Sequence, residues 1–155
     1  MHDTKLLQLI EEDILPAQHL LELLQAEALA LHGRDMPLLE NILAQKQSLI
    51  VLLDQHGRLR SELLASLNLS PERSGVEVLA SQSHLGSQLL ARLDVLARLM
   101  SDCHAANASN GRSIQLQQMA TSNQLRILMG GESPSLYDNR GSTSPLSKPR
   151  TFSQA

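Results

Sequence analysis

The chain has no tryptophan, one tyrosine, one phenylalanine and one cysteine in 155 residues. A body without aromatics must fill its core with aliphatic side chains, and leucine supplies roughly a fifth of all residues, above the usual mixed composition. Valine and threonine are sparse, which leaves little to build strands from, because pleated surfaces favour β-branched and aromatic side chains. Leucine has high helix propensity, so both observations point to an all-α fold. The lone cysteine, Cys103, excludes an intrachain disulfide and points to a reducing compartment. A formal charge of −3 argues against a nucleic-acid partner, since domains that bind nucleic acid are usually basic. No apolar run approaches the ~18 residues of a membrane span, and no basic stretch followed by an apolar one opens the chain as in a secretion signal. These absences lead us to expect a cytoplasmic protein that is not inserted in a membrane.

What is present is leucine at helical spacing. Leu7, Ile10, Ile14, Ala17, Leu21, Leu24, Ala28 and Leu31 alternate by three and four residues, a heptad seam that Leu6, Leu20 and Leu23 widen on one side. Asp3 is expected to cap this helix, Pro16 to kink it rather than end it, and Gly33 to stop it. The helix is acidic, with Asp3, Glu11, Glu12, Asp13, Glu22 and Glu27 against Lys5 alone. Asp35 is the next expected cap and Pro37 suits the first turn. The second helix carries Leu38, Leu39, Ile42, Leu49, Leu52, Leu53, Leu59, Leu63, Leu64 and Leu67. The short Gly33-Arg34 link forces the two helices into an antiparallel hairpin. Polar Gln45-Lys46-Gln47-Ser48 and Gly57 are the expected bending points.

Leu69 to Gly75 reads as a turn, with Ser70 as a cap and Pro71 in the first helical position. A third helical region runs through Leu79, Leu85, Leu89, Leu93, Leu96, Met100 and Cys103. Beyond it the residues leave two alternatives. Asn107-Ala-Ser-Asn110-Gly111 breaks a helix by propensity, yet the same count continues through Asn107, Asn110, Ile114, Gln117 and Thr121. Leu116, Met119, Leu125 and Leu128 then supply apolar positions before Gly130-Gly131. From these segments we expect an elongated antiparallel bundle or coiled coil of three to four long helices over residues 1–130. Residues 131–155 are rich in Ser, Pro and Gly and too poor in apolar content to offset the ordering cost, so they read as a flexible tail. That tail holds the only tyrosine, Tyr137, beside Leu136. A tyrosine joins a large apolar area to one polar tip, which suits an anchor in a short linear motif.

No catalytic constellation is legible. Asp102-Cys103-His104 resembles a triad in print, but neighbours on a helix diverge by about 100°. The histidines at 2, 19, 32, 56, 84 and 104 show no metal-ligand spacing, so neither a metal nor a cofactor is expected. Phosphotransfer at His84 is the one enzyme-like alternative, and no cation follows that residue until Arg92.

Four stretches taken in order resemble a known family. They are Leu23-Leu-Gln-Ala-Glu27-Ala-Leu29-Ala with Asp35; Lys46-Gln-Ser-Leu49-Ile with Arg60-Ser-Glu-Leu63-Leu; Asn107-Ala-Ser-Asn110-Gly111 with Asn123 and Leu128; and Leu136-Tyr137-Asp-Asn-Arg-Gly141-Ser-Thr143. The chain resembles bacterial flagella synthesis proteins of the FlgN type, cytosolic type III export chaperones for hook-filament junction proteins. The resemblance implies no enzymatic reaction and a helix that continues through Asn110-Gly111. Its implied partners are the C-terminal helical region of unassembled junction proteins, as cargo, and the cytoplasmic domain of the flagellar export gate. It places cargo binding on Ile114, Leu116, Met119, Leu125 and Leu128, and export-gate docking on Leu136 and Tyr137. The competing reading is a generic coiled-coil adaptor or homodimer, because a stripe that grips cargo also suits self-association.

Overall fold

The structure is a computed structural model that describes residues 1–129. Their regular elements are four helices, α1 (His2–Gly33), α2 (Met36–Ser66), α3 (Arg73–Ser81) and α4 (Gly86–Leu128), so the all-α expectation holds. The chain divides into two units, Met1–Arg112 and Ser113–Ala155. The tail expected from residue 131, with Leu136 and Tyr137, lies outside the described residues.

Within the first unit α1 and α2 form the expected hairpin, but the chain turns at a different residue. Gly33 stays inside α1, and Arg34 adopts the left-handed conformation at φ 54, donating its N–H to the carbonyls of Ala30 and Leu31. Asp35 then caps α2, its carboxylate accepting the Leu38 N–H at 3.2 Å, with Pro37 in the first turn. At the other end Asp3 does not cap α1. It lies in the first turn, where its carboxylate accepts from the Ser83 hydroxyl at 2.5 Å and from the Met1 ammonium at 2.7 Å. These two bonds and the Thr4 N–H, the ammonium first, hold its pKa well below the usual carboxylate range. Pro16 leaves α1 unbroken, as expected.

The single third helix expected from Leu79 to Cys103 is two helices, α3 and α4, joined at Gln82–Leu85. Gly86 explains the break, because a Cβ there would run into the Ala80 carbonyl, so only glycine lets the chain fold back this tightly. The turn before α3 is similarly tight, with Gly75 against the Ser70 carbonyl. Glu72 rather than Ser70 is the N-cap of α3, and Pro71 precedes the helix. Downstream, α4 runs without interruption through Asn107, Asn110 and Gly111.

Three apolar clusters stack along the hairpin. The first draws on all four helices, with Leu6, Leu7, Ile10 and Ala17 of α1, Leu64 of α2, Val76 of α3, and Leu89 and Leu96 of α4. The second joins Leu20 and Leu24 to Leu53 and Cys103. The third joins Leu23 and Ala30 to Ile42. Each fully buried leucine contributes about 1.5–3 kcal/mol, so the end of the hairpin where all four helices meet is the most firmly held.

Candidate functional site

Between these apolar layers lie two buried ionic layers. Asp13 is completely buried in the α1 seam. On one carboxylate oxygen it takes His56 Nδ1 at 2.6 Å, and on the other an Arg60 guanidinium nitrogen at close range. Two heptads further on, Glu27 meets Lys46, whose Nζ lies 3.0 and 3.1 Å from the two carboxylate oxygens. From α4, Asn110 completes this layer with one amide nitrogen, donating to the Leu24 carbonyl at 2.9 Å and to Glu27 Oε1 at 2.8 Å. Lys46 also reaches Asn107 Oδ1 at 3.4 Å.

These layers correct the seam expected from the sequence. The buried line on α1 is Leu6, Ile10, Asp13, Ala17, Leu20, Leu24, Glu27 and Leu31. Leu7, Ile10, Ala17, Leu24 and Leu31 of the expected seam are buried, with the flanking Leu6, Leu20 and Leu23, but Asp13 replaces Ile14, Leu20 replaces Leu21 and Glu27 replaces Ala28. The helix has turned by one residue because its carboxylates find cations on α2, which makes their burial tolerable. Lys46, expected at a bending point, is a buried member of the core. A periodicity count of apolar residues could not find these positions. The available signal was the hairpin register itself: Asp13 with Arg60 and Glu27 with Lys46 are pairs whose residue numbers each add to 73.

Residues 114–128 present a different surface. Ile114, Leu116, Met119, Leu125, Ile127 and Leu128 are all exposed, from 38% at Ile114 to 81% at Leu128. At 100° per residue, Ile114, Leu125 and Leu128 fall within about 60° of one another, while Leu116, Met119 and Ile127 gather on the opposite side within about 80°. The five positions expected to bind cargo therefore do not form one face. Three of them share a side of α4, and Leu116 and Met119 share the other with Ile127, a residue the sequence reading did not select.

The remaining candidates disperse. Cys103 is buried, its thiol against the Ala17 carbonyl at 3.5 Å and its pKa pushed up by burial and then by the Asp102 charge. Asp102 and His104 are exposed to either side of it, so the printed triad separates. His84 lies in the turn between α3 and α4. Among the described residues no group of three His, Cys, Asp or Glu side chains could hold a metal ion, and no helix is long and apolar enough to cross a membrane. An open groove of about 790 Å³ runs beside Leu20, Ile50, Leu53, Gly57 and Met100. Two of its charged neighbours, Asp54 and Arg58, pair with each other at 2.8 Å.

A family model described as FlgN protein matches residues 1–145. The chain belongs to the FlgN family. The crystal structure of a Pseudomonas aeruginosa protein assigned as a flagella synthesis protein FlgN is similar to it, with a TM-score of 0.68 and 40% identity. That similarity covers 80% of this chain and 95% of the other. No curated protein matches the chain. FlgN membership places the chain in flagellar synthesis.

Proposed function

We propose that the chain is a cytosolic export chaperone of flagellar assembly. It binds the C-terminal helical region of unassembled hook-filament junction proteins and carries them to the cytoplasmic domain of the type III export gate. The observation that carries this reading is the run of exposed large apolar side chains on α4 from Ile114 to Leu128, in a chain of the FlgN family. Lone exposed leucines are ordinary on protein surfaces, but two apolar stripes on one helical segment suit helix-on-helix packing.

A cargo helix lies against one face of α4 at a time, since a helix presents an apolar stripe of about 100° to its neighbour. The Ile114, Leu125 and Leu128 side is the better candidate, because it continues the count through Cys103 and Asn110. Covering three or four such side chains stabilises the complex by about 1.5–3 kcal/mol each. Association and ordering costs reduce this to micromolar or nanomolar binding, which suits a cargo that must be surrendered. Shielding the cargo helix prevents its self-association until the gate is reached. Docking at the gate is assigned to Leu136 and Tyr137, on the resemblance of Leu136-Tyr137-Asp-Asn-Arg to the family's tail motif. No bond is made or broken in this role.

The test is binding of the purified chain to a junction protein with and without that protein's C-terminal helical region. Micromolar or tighter binding that disappears with the truncation supports the proposal. Equal binding of the truncated cargo, or self-association with no cargo binding, overturns it.

A further inference from the structure

Glu27, Lys46 and Asn110 are buried where leucine would pack at least as well. A buried ion pair is weak evidence for stability, because apolar residues of similar volume are often as stable or more so. What these three side chains change is which helix can lie on the α1–α2 hairpin. Each comes from a different helix, and together they satisfy one another: Glu27 takes Lys46 on both oxygens and Asn110 on Oε1. A helix with leucine in the place of Asn110 would cover Glu27 and the Leu24 carbonyl while offering no donor to either. Sliding α4 by one heptad in the direction that brings Cys103 to the place of Asn110 fails similarly, because a thiol is only a weak donor.

We infer that Glu27, Lys46 and Asn110 form a partner-selecting layer, which admits the chain's own α4 onto the hairpin in one register and rejects foreign leucine-faced helices. The inference stands apart from the cargo proposal, since it concerns any amphipathic helix with an all-leucine seam. Such a layer matters for a leucine-rich hairpin of this kind, whose remaining seam discriminates poorly between one apolar helix and another. A single buried polar residue fixing register in a coiled coil is the best-attested use of such groups.

Cys103 supplies the readout. It is the only cysteine, it is buried, and it packs between α4 and Ala17 of α1, so a helix that displaces α4 exposes it. The full chain is labelled with a thiol reagent in the presence and absence of a synthetic amphipathic peptide with an all-leucine seam. In the wild type the labelling rate should not respond to the peptide. In Glu27→Leu/Lys46→Leu/Asn110→Leu, checked for retained helicity, the peptide should accelerate labelling at least tenfold. A second arm needs only the wild type: a peptide with one asparagine in its seam should accelerate labelling more than the all-leucine peptide. An unresponsive, folded triple variant overturns the inference, as does a wild type equally opened by the all-leucine peptide. If the triple variant does not fold, the second arm decides, and an asparagine peptide no better than the leucine one overturns the inference.

Discussion

Lys46 of α2 closes on Glu27 of α1 across the hairpin, its ammonium shared between both carboxylate oxygens at 3.0 and 3.1 Å. Both side chains are about nine-tenths buried. The antiparallel register that brings them together also sets Arg60 against Asp13, so the hairpin carries the same device twice, once on each side of the second apolar cluster.

Removing one member of the pair should cost far more than removing both. Lys46→Met leaves Glu27 buried without its cation and should destabilise the protein by about 3–5 kcal/mol in urea unfolding followed by circular dichroism. Glu27→Leu/Lys46→Leu should recover most of that loss. A double variant as unstable as the single one would mean that the pair is a net source of stability.

The hairpin turn gives an expectation opposite to the sequence reading. With Gly33 inside the helix and open space around it, Gly33→Ala should stabilise by about 0.5–1 kcal/mol. Arg34→Gly should also stabilise, because the left-handed conformation is costly for a residue with a Cβ. Gly111→Ala should stabilise for the same reason as Gly33→Ala, whereas Gly86→Ala should destabilise by forcing the turn open. Thermal melts of the four variants check the signs.

Burial holds the Cys103 thiol above its ordinary value of 9.0. The unfolded chain therefore releases this proton at a lower pH than the folded one. The stability tied to the neutral thiol is complete below about pH 9 and is lost as pH rises through the folded value. Relative to Cys103→Ala, the wild type should lose stability in the window that opens above about pH 9, measured as the difference in urea midpoint. A constant difference across that window would contradict the burial argument.

Tyr137→Ala should leave cargo affinity unchanged and weaken capture by the purified cytoplasmic domain of the export gate at least tenfold in a direct binding assay. Equal weakening of both would contradict the proposed division of labour between the helices and the tail.

Much of the fold is legible in the sequence because its signals are local. The hairpin follows from Asp35-Met-Pro37, and the apolar part of the α1 seam follows from leucine spacing. The charged part does not, because Asp13 and Glu27 look like solvent-facing acids until α2 is folded back on them. The break at Gly86 is hidden for a related reason. Leu79, Leu85 and Leu89 all suit one helix, and only the approach of the Ala80 carbonyl shows that the chain must turn. Asn110 is the reverse case: its propensity suggests a break, but its partners Leu24 and Glu27, more than eighty residues away, hold it inside a continuous helix. The exposed residues of α4 were identified as positions but not as faces, since Ile114 and Leu116 belong to opposite sides.

The most direct test is titration calorimetry of a hook-filament junction protein into three proteins: the wild type, Leu125→Asp/Leu128→Asp and Leu116→Asp/Met119→Asp. The wild type should bind with micromolar or tighter affinity. The first variant should lose binding at least a hundredfold with helicity retained, and the second should lose less. Undiminished binding by Leu125→Asp/Leu128→Asp, or no binding by the wild type, would contradict the claim that this face of α4 grips the cargo.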